Sequence, residues 1–412
     1  MSTPRTSHAY YPVVRLFASL LLMAVAGSAM YAAILVLEPA AEEFGTGRGA
    51  GSMPYTLFML GFAAGGVVMG RLADRFGIVA PALIASLCLP AGLLFAAEAT
   101  ALWHFSVSLG VLCGLFGMSA TFAPVASDIS HWFTARRGLA VGIVISGTYL
   151  SGAIWPPVLQ HFIDIHGWRV TFQGLGHLTL LLMLPLTLLL YRPAIIDHGG
   201  GGAAAGHRGR RRPLGFSSRS LQGLLCLAGV GCCVAMAMPQ VHIVPLVIDL
   251  GFDAVHGARM LALMLGFGVV SRLVSGWLSD RIGGTKTLIL GSAMQGLVIF
   301  SFLFADGLTT LYVLAVAFGL SQGGIVPSYT IIVRTLFPAG EAGWRIGTTM
   351  MFTVGGMALG AWMAGVLYDL TGDYTASILA AFGFNVMNLA IASWLIARER
   401  WQPGQGAILR PA

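Results

Sequence analysis

One guanidinium has the clearest chemistry in this sequence. Arg272 lies in Met260–Trp277, a run otherwise free of charge. Asp280 follows eight residues later, about 12 Å along a helix at 1.5 Å per residue. Arg272 therefore falls near the middle of a membrane-length helix. A charge at that depth costs about 2.5–3.5 kcal/mol on insertion scales. The 16 Asp and Glu all stand near the ends of apolar runs or between them. An anionic ligand is the partner this pattern favours, because a guanidinium holds a carboxylate through two parallel hydrogen bonds. The competing reading is an arginine satisfied by backbone carbonyls and water, with a role in gating.

Other polar groups sit in apolar runs. His242 and Gln240 lie in Met238–Pro245, where Pro239 and Pro245 are expected to break the helical ladder. Broken helices at membrane depth line a cavity or act as a gate. Histidine titrates near physiological pH, so His242 is a candidate for carrying a proton or touching a substrate. Its alternative is a structural ring bonded to a freed carbonyl, and Gln240 is a weaker form of the same reading. Tyr31, Thr148, Tyr149 and Tyr329 offer hydroxyls. A pocket for a small carboxylate needs a few such donors among apolar walls, although each also reads as helix packing or lipid contact. Tyr329 follows Gly323–Gly324 and Pro327, a stretch expected to be flexible. His177, Asn385 and Asn388 read as packing or interhelical bonds.

The elements that must position these groups are apolar helices. Of 412 residues, 57% are hydrophobic and 9% charged, against about 25% charged in soluble domains. Mean hydropathy is +0.82. A soluble enzyme, a disordered chain and an ordinary nucleic-acid binder are excluded. Twelve runs reach the roughly 20 residues a bilayer needs: 13–37, 53–72, 78–97, 102–127, 138–160, 167–191, 221–247, 257–279, 285–305, 309–333, 345–368 and 375–397. The first, apolar from Leu16 to Leu37, is too long for a signal-peptide core.

With both termini in the cytoplasm, 19 of the 23 Lys and Arg fall on inside segments. Arg48, Arg169 and Arg259 fall outside, and Arg272 within a span. That is a positive-inside pattern, so the basic charge reports topology and not nucleic-acid binding. The five cysteines lie in apolar runs without CxxC spacing and read as small packing groups. No GxxxxGK[ST], HExxH or metal-spaced cluster occurs, so neither ATP hydrolysis, nor a metal, nor a cofactor is expected.

The chain divides near its middle. Residues 192–220 are glycine-rich and basic and read as a flexible cytoplasmic linker. It joins an N-terminal bundle (1–191) to a C-terminal bundle (221–412), and its basic cluster has weak lipid contact as a second reading. Gly70-Arg-Leu-Ala-Asp74-Arg75-Phe-Gly77 follows the second span, and Gly276-Trp-Leu-Ser-Asp280-Arg281-Ile-Gly283 follows the eighth, 206 residues later. Gly70 and Gly276 are expected to admit a close helix, and Gly77 and Gly283 a tight turn. Asp74, Arg75, Asp280 and Arg281 read as cytoplasmic gate latches. Glycine pairs Gly61/Gly65, Gly66/Gly70, Gly110/Gly114 and Gly356/Gly360 suggest helix contacts. Trp103, Trp168, Trp344 and Trp401 read as interfacial anchors.

The repeated loop element, the linker and the two six-span halves resemble the major facilitator superfamily over essentially the whole chain. The implied fold is an all-α membrane protein, with twelve transmembrane helices in two pseudo-symmetric six-helix bundles. Trp132-Phe133-Thr-Ala-Arg136-Arg137-Gly138-Leu139-Ala140-Val-Gly142, then Ser146-Gly147, is similar to the fifth-span signature of the monocarboxylate porter family, which includes oxalate/formate exchangers. Gly167-Trp168-Arg169 also fits. The resemblance implies that Arg272 binds the substrate carboxylate and that Tyr31 and Thr148 line the cavity.

Departures matter. Mammalian monocarboxylate transporters carry an Asp where Gly268 stands, and a first-span Lys that is absent here. Phe122 stands where oxalate exchangers place a cavity tyrosine. Oxalate exchangers pair the arginine with an eleventh-span Lys, where this chain offers Thr348, Thr349 and Thr353. One central cation suits one negative charge.

The expectation is a multi-pass, monomeric secondary transporter in the plasma membrane, not an enzyme. It moves a lactate- or pyruvate-like monocarboxylate by proton-coupled symport and alternating access. His242 and Arg272 are the coupling candidates. Anion exchange of the oxalate/formate type and efflux of amphipathic compounds are the alternatives.

Overall fold

A computed structural model of the chain describes residues 10–133, 137–191 and 215–400. Every regular element among them is helical. They gather in two compact units. The first holds the chain up to Thr46 and again from Met53 through the first half. The second holds Gly47–Ser52 and the second half.

The first half runs α1 (Tyr11–Ala26), α2 (Ser28–Leu35), α3 (Leu37–Glu43), α4 (Arg48–Gly51), α5 (Met53–Phe76), α6 (Val79–Ala97) and α7 (Leu102–Val107). A π-helical stretch, Ser108–Met118, leads into α8 (Ser119–Trp132), α9 (Arg137–Ile145) and α10 (Gly147–Leu188). Of these, α4 belongs to the second unit. The second half runs α11 (Ser218–Asp249), α12 (Ala254–Ile282), α13 (Gly284–Ser301), α14 (Leu308–Gln322), α15 (Ile325–Leu336), α16 (Ala339–Thr371) and α17 (Thr375–Arg400).

Eleven helical stretches among the described residues are long and apolar enough to cross a bilayer. One of them, Ala140–Leu188, has 49 residues, about twice what a 30 Å core takes. Gly167, with φ 78° and ψ 164°, breaks it in two. Twelve spans result, six in each unit. Large apolar side chains face outward along them, with Leu181 and Leu297 each 69% exposed. Water would not tolerate that exterior, and a bilayer requires it.

Glycines set the close contacts, though not all those expected. A Cβ on Gly110 would stand 2.9 Å from Leu57 Cβ, and one on Gly360 2.6 Å from the Val234 carbonyl oxygen. Gly66, Gly70 and Gly276 face open space, so the loop motif's first glycine makes no tight helix contact. The break anticipated at Pro239 and Pro245 is also absent. α11 runs through both, because each proline removes a single ladder donor.

The halves repeat in backbone as well as sequence. Gly45 and Gly251 take positive φ (62° and 84°), as do Gly77 and Gly283 (76° and 87°). Both pairs are 206 residues apart. The same terminal bond closes α3 and α11: Thr46 N–H to the Ala41 carbonyl at 2.9 Å, and Phe252 N–H to the Val247 carbonyl at 3.1 Å.

Candidate functional site

Arg272 projects half-buried from α12 beside the interruption between α14 and α15. Its Nε donates to the Gly323 carbonyl at 3.5 Å, a long bond. The neighbouring Ser271 Oγ accepts from the Gly323 N–H at 3.1 Å. Both polar groups of Gly323 are thus held by consecutive residues of one helix. A Cβ on Gly323 would stand 2.6 Å from the Arg272 backbone nitrogen, so glycine is what lets the chain press so close. The flexible stretch expected before Tyr329 is here a backbone junction pinned to the arginine's own turn.

Gln240 lies buried on α11 and donates to Gln322 Oε1. Gln322 Nε2 donates to the Met264 carbonyl at 3.2 Å. This amide pair ties α11, α14 and α12 together one residue from Gly323. His242 is also buried. Its Nε2 stands 2.8 Å from the Ala361 carbonyl oxygen and its Nδ1 3.0 Å from Tyr374 Oη. A carbonyl only accepts, so Nε2 carries the hydrogen; in a neutral ring Nδ1 then accepts from Tyr374. Tyr329 turns elsewhere. Its hydroxyl donates to Asn388 Oδ1 at 2.7 Å within the apolar core of the second unit. Asn388 donates on to Ser292 Oγ, and Asn385 to Gln295, so both asparagines make interhelical bonds.

Three of the named hydroxyls belong to the first unit. Tyr31 is buried and donates to the Thr148 carbonyl at 3.2 Å. Thr148 Oγ1 donates to the Ile145 carbonyl at 2.9 Å. Tyr149 is half-buried next to it. The structure therefore gathers Tyr31, Thr148 and Tyr149 in one unit, and Arg272, Gln240, His242 and Tyr329 in the other. Within the second unit, Arg272 and Gln240 converge on Gln322–Gly323.

In the repeated loop element Arg75 and Arg281 lie over the rings of Phe76 and Trp277, at 5.3 and 4.0 Å from the centroids. Asp280 is exposed. The Asp74 side chain lies outside the described residues, as do Arg136 of the fifth-span signature, Trp401 and most of the linker.

A sequence profile of the Major Facilitator Superfamily matches residues 17–310 and 260–408. The chain belongs to the major facilitator superfamily. Monocarboxylate transporter 13 of Rattus norvegicus is 31% identical over 330 residues, 79% of this chain and 74% of that protein. Monocarboxylate transporter 11 of Homo sapiens is 31% identical over 327 residues, 76% and 67%. The crystal structure of the peptide transporter POT in complex with sulfate superposes with a TM-score of 0.73 at 15% identity, over 99% of this chain and 97% of that one. At that identity it speaks for the fold. The molecule is a secondary transporter of small molecules and not an enzyme, and it has family-level homology to monocarboxylate transporters.

Two arginines carry more than sequence reasoning gave them. Arg15, counted only as inside charge, is fully buried and forms a fork with Asp128 at 2.7 and 2.8 Å. It also donates to Tyr11 Oη and to the Leu190 carbonyl, joining α1, α8 and the end of α10. Arg48, counted only as outside charge, grips Asp249 and Tyr374 in the second unit. Trp168, expected as an interfacial anchor, is buried instead. Its Nε1 donates to Glu43 at 2.7 Å, and Arg169 completes the grip on Glu43 and takes the Ala97 and Ala99 carbonyls. Gly167-Trp168-Arg169 is thereby a turn, a donor and a clamp on the end of α6.

Proposed function

We propose that this transporter carries a lactate- or pyruvate-like monocarboxylate into the cell together with a proton, with Arg272 as the anion site. The supporting observation is the placement of that guanidinium, half-buried within a span beside the Gly323 carbonyl between α14 and α15. A carboxylate would offer it two short, charge-assisted bonds in exchange. The names of the relatives, monocarboxylate transporters 13 and 11, support the same class of substrate. Gln240 and, in the first unit, Tyr31, Thr148 and Tyr149 are the polar groups we assign to the substrate, and Tyr329 supports them from the core. Arg75, Asp280, Arg281 and Asp74 are proposed as gate residues, in a plasma-membrane topology with both ends cytoplasmic.

Electrostatics favours symport over uncoupled entry. A potential negative inside opposes anion entry by about 2.3 kcal/mol per charge per 100 mV, and an accompanying proton cancels it. His242 is the proposed carrier of that proton. A second hydrogen, on Nδ1, would confront Tyr374 with two donors, because Arg48 Nη1 already donates to that hydroxyl at 3.0 Å. Protonation would therefore rearrange the network of Arg48, Tyr374, the Ala361 carbonyl and the nearby Asp369.

The test is uptake of labelled L-lactate into proteoliposomes with and without an inward proton gradient, for the native chain and Arg272→Ala. Gradient-driven uptake lost in the variant supports the reading. Absence of uptake by correctly folded native protein would remove the lactate assignment, and exchange against preloaded anions would be measured next.

A further inference from the structure

Gly47–Ser52 lies in the chain between α3 and α5 of the first unit, yet packs in the second. What holds it there is specific. Arg48 Nη1 and Nη2 donate to Asp249 Oδ2 and Oδ1 at 2.5 and 2.6 Å. The guanidinium lies 3.9 Å from the Tyr368 ring centroid. The backbone N–H groups of Arg48 and Gly49 both donate to the Asp369 carboxylate at 2.7 Å. The packing is equally close. A Cβ on Gly49 would stand 2.8 Å from Val366 Cγ2, and one on Gly365 2.5 Å from the Arg48 carbonyl oxygen.

The internal repeat identifies what this clamp replaces. At the spacing of 206 residues that separates Asp74 from Asp280, Glu43 corresponds to Asp249 and Trp168 to Tyr374. In the first unit Glu43 is held by its own half, through Arg169 at 2.7 Å and Trp168. The counterpart of Arg169 is Thr375, which has no charge to offer. Asp249 takes Arg48 instead.

We propose that Gly47–Ser52 is a latch that closes on the second unit and opens during the transport cycle, with Arg48 standing in for the arginine the second half lacks. Alternating access moves one repeat against the other. A segment joined covalently to one and packed into the other has to let go or follow. The ion pair is not sealed from solvent, since the side chains of Arg48 and Asp249 keep 13% and 27% of their exposure. The latch is independent of substrate identity, although its Arg48 also donates to Tyr374, the partner of His242.

The experiment uses the full chain in lipid nanodiscs, where both faces are open to reagent. Ser52 is fully buried, with Oγ donating to the Arg48 carbonyl at 2.8 Å, whereas Glu42 is exposed. The rate of maleimide labelling is measured for Ser52→Cys and Glu42→Cys, after subtracting the native chain's own cysteines. Ser52→Cys is expected to react slowly but measurably, and Arg48→Ala or Asp249→Ala to speed it about tenfold, the change set by about 1.4 kcal/mol of docking energy. The exchange Arg48→Asp with Asp249→Arg is expected to restore slow labelling. Labelling of Ser52→Cys as fast as Glu42→Cys with Arg48 in place overturns the latch. So does a rate that Arg48→Ala leaves unchanged, including a residue unreactive in both, which would make the segment permanent packing. Should Ser52→Cys fail to fold, hydrogen exchange at the Arg48 and Gly49 amides gives the same decision, with Asp249→Ala expected to speed it about tenfold.

Discussion

At the scale of single residues, the arginines divide by what they are given to bind. Arg15, Arg48 and Arg169 each form a short fork or pair with a carboxylate of the chain, whereas Arg272 Nε donates to the Gly323 carbonyl at 3.5 Å. We expect Arg272→Lys to retain only part of lactate uptake. It keeps the charge but loses the planar fork, so KM should rise more than kcat falls, and concentration-dependent uptake by the two proteins would reveal it. We expect His242→Gln to abolish stimulation by an inward proton gradient while lactate exchange survives, read from gradient-driven and exchange fluxes in the same vesicles. Equal loss of both would make His242 a structural ring. For Arg15, removing its partner leaves a buried charge poorly compensated, so Asp128→Ala should lower stability by about 3 kcal/mol or more. Thermal unfolding in detergent measures this.

At the scale of elements, backbone geometry decides where spans end and where they bend. Gly167 separates two spans in a conformation, φ 78° and ψ 164°, that side chains other than hydrogen rarely adopt. Gly167→Ala is expected to cost about 1–3 kcal/mol and to loosen the grip of Trp168 and Arg169 on Glu43. A fall in melting temperature matched by Glu43→Gln, with no further fall in the double variant, would tie the turn to that grip. The proline-bearing α11 teaches the opposite lesson. Its two prolines suggested a broken helix, but each removes only one ladder donor, and the buried helix continues.

At the scale of the whole molecule, six spans per unit and a repeat of 206 residues organise everything else. The repeat predicts a rescue. Thr375→Arg gives the second half the arginine that the first has at Arg169, so it should partly offset Arg48→Ala in the Ser52→Cys labelling rate. No offset would limit the correspondence to backbone. Topology is testable at the same scale. A cysteine placed at Gly200 in the basic linker is expected to react with an impermeant reagent only from the cytoplasmic face, since the arginines around it set orientation.

The sequence by itself determined the membrane class, the count of spans, the two halves and the isolated arginine. These follow from local quantities: length of apolar runs, charge per loop and a spacing repeated along the chain. The turn glycines Gly77 and Gly283 were legible for the same reason, because conformational freedom belongs to the residue. Which polar groups face one another was decided only by tertiary structure. Tyr329 read as a site hydroxyl and is bonded inside the core to Asn388. Trp168 read as an interfacial anchor and is a buried donor to Glu43. Arg48 read as one unit of outside charge and holds Asp249, 201 residues away. A hydrogen bond depends on distance in space, and in helices this long a rotation of one residue, about 100°, turns a side chain from lipid to core.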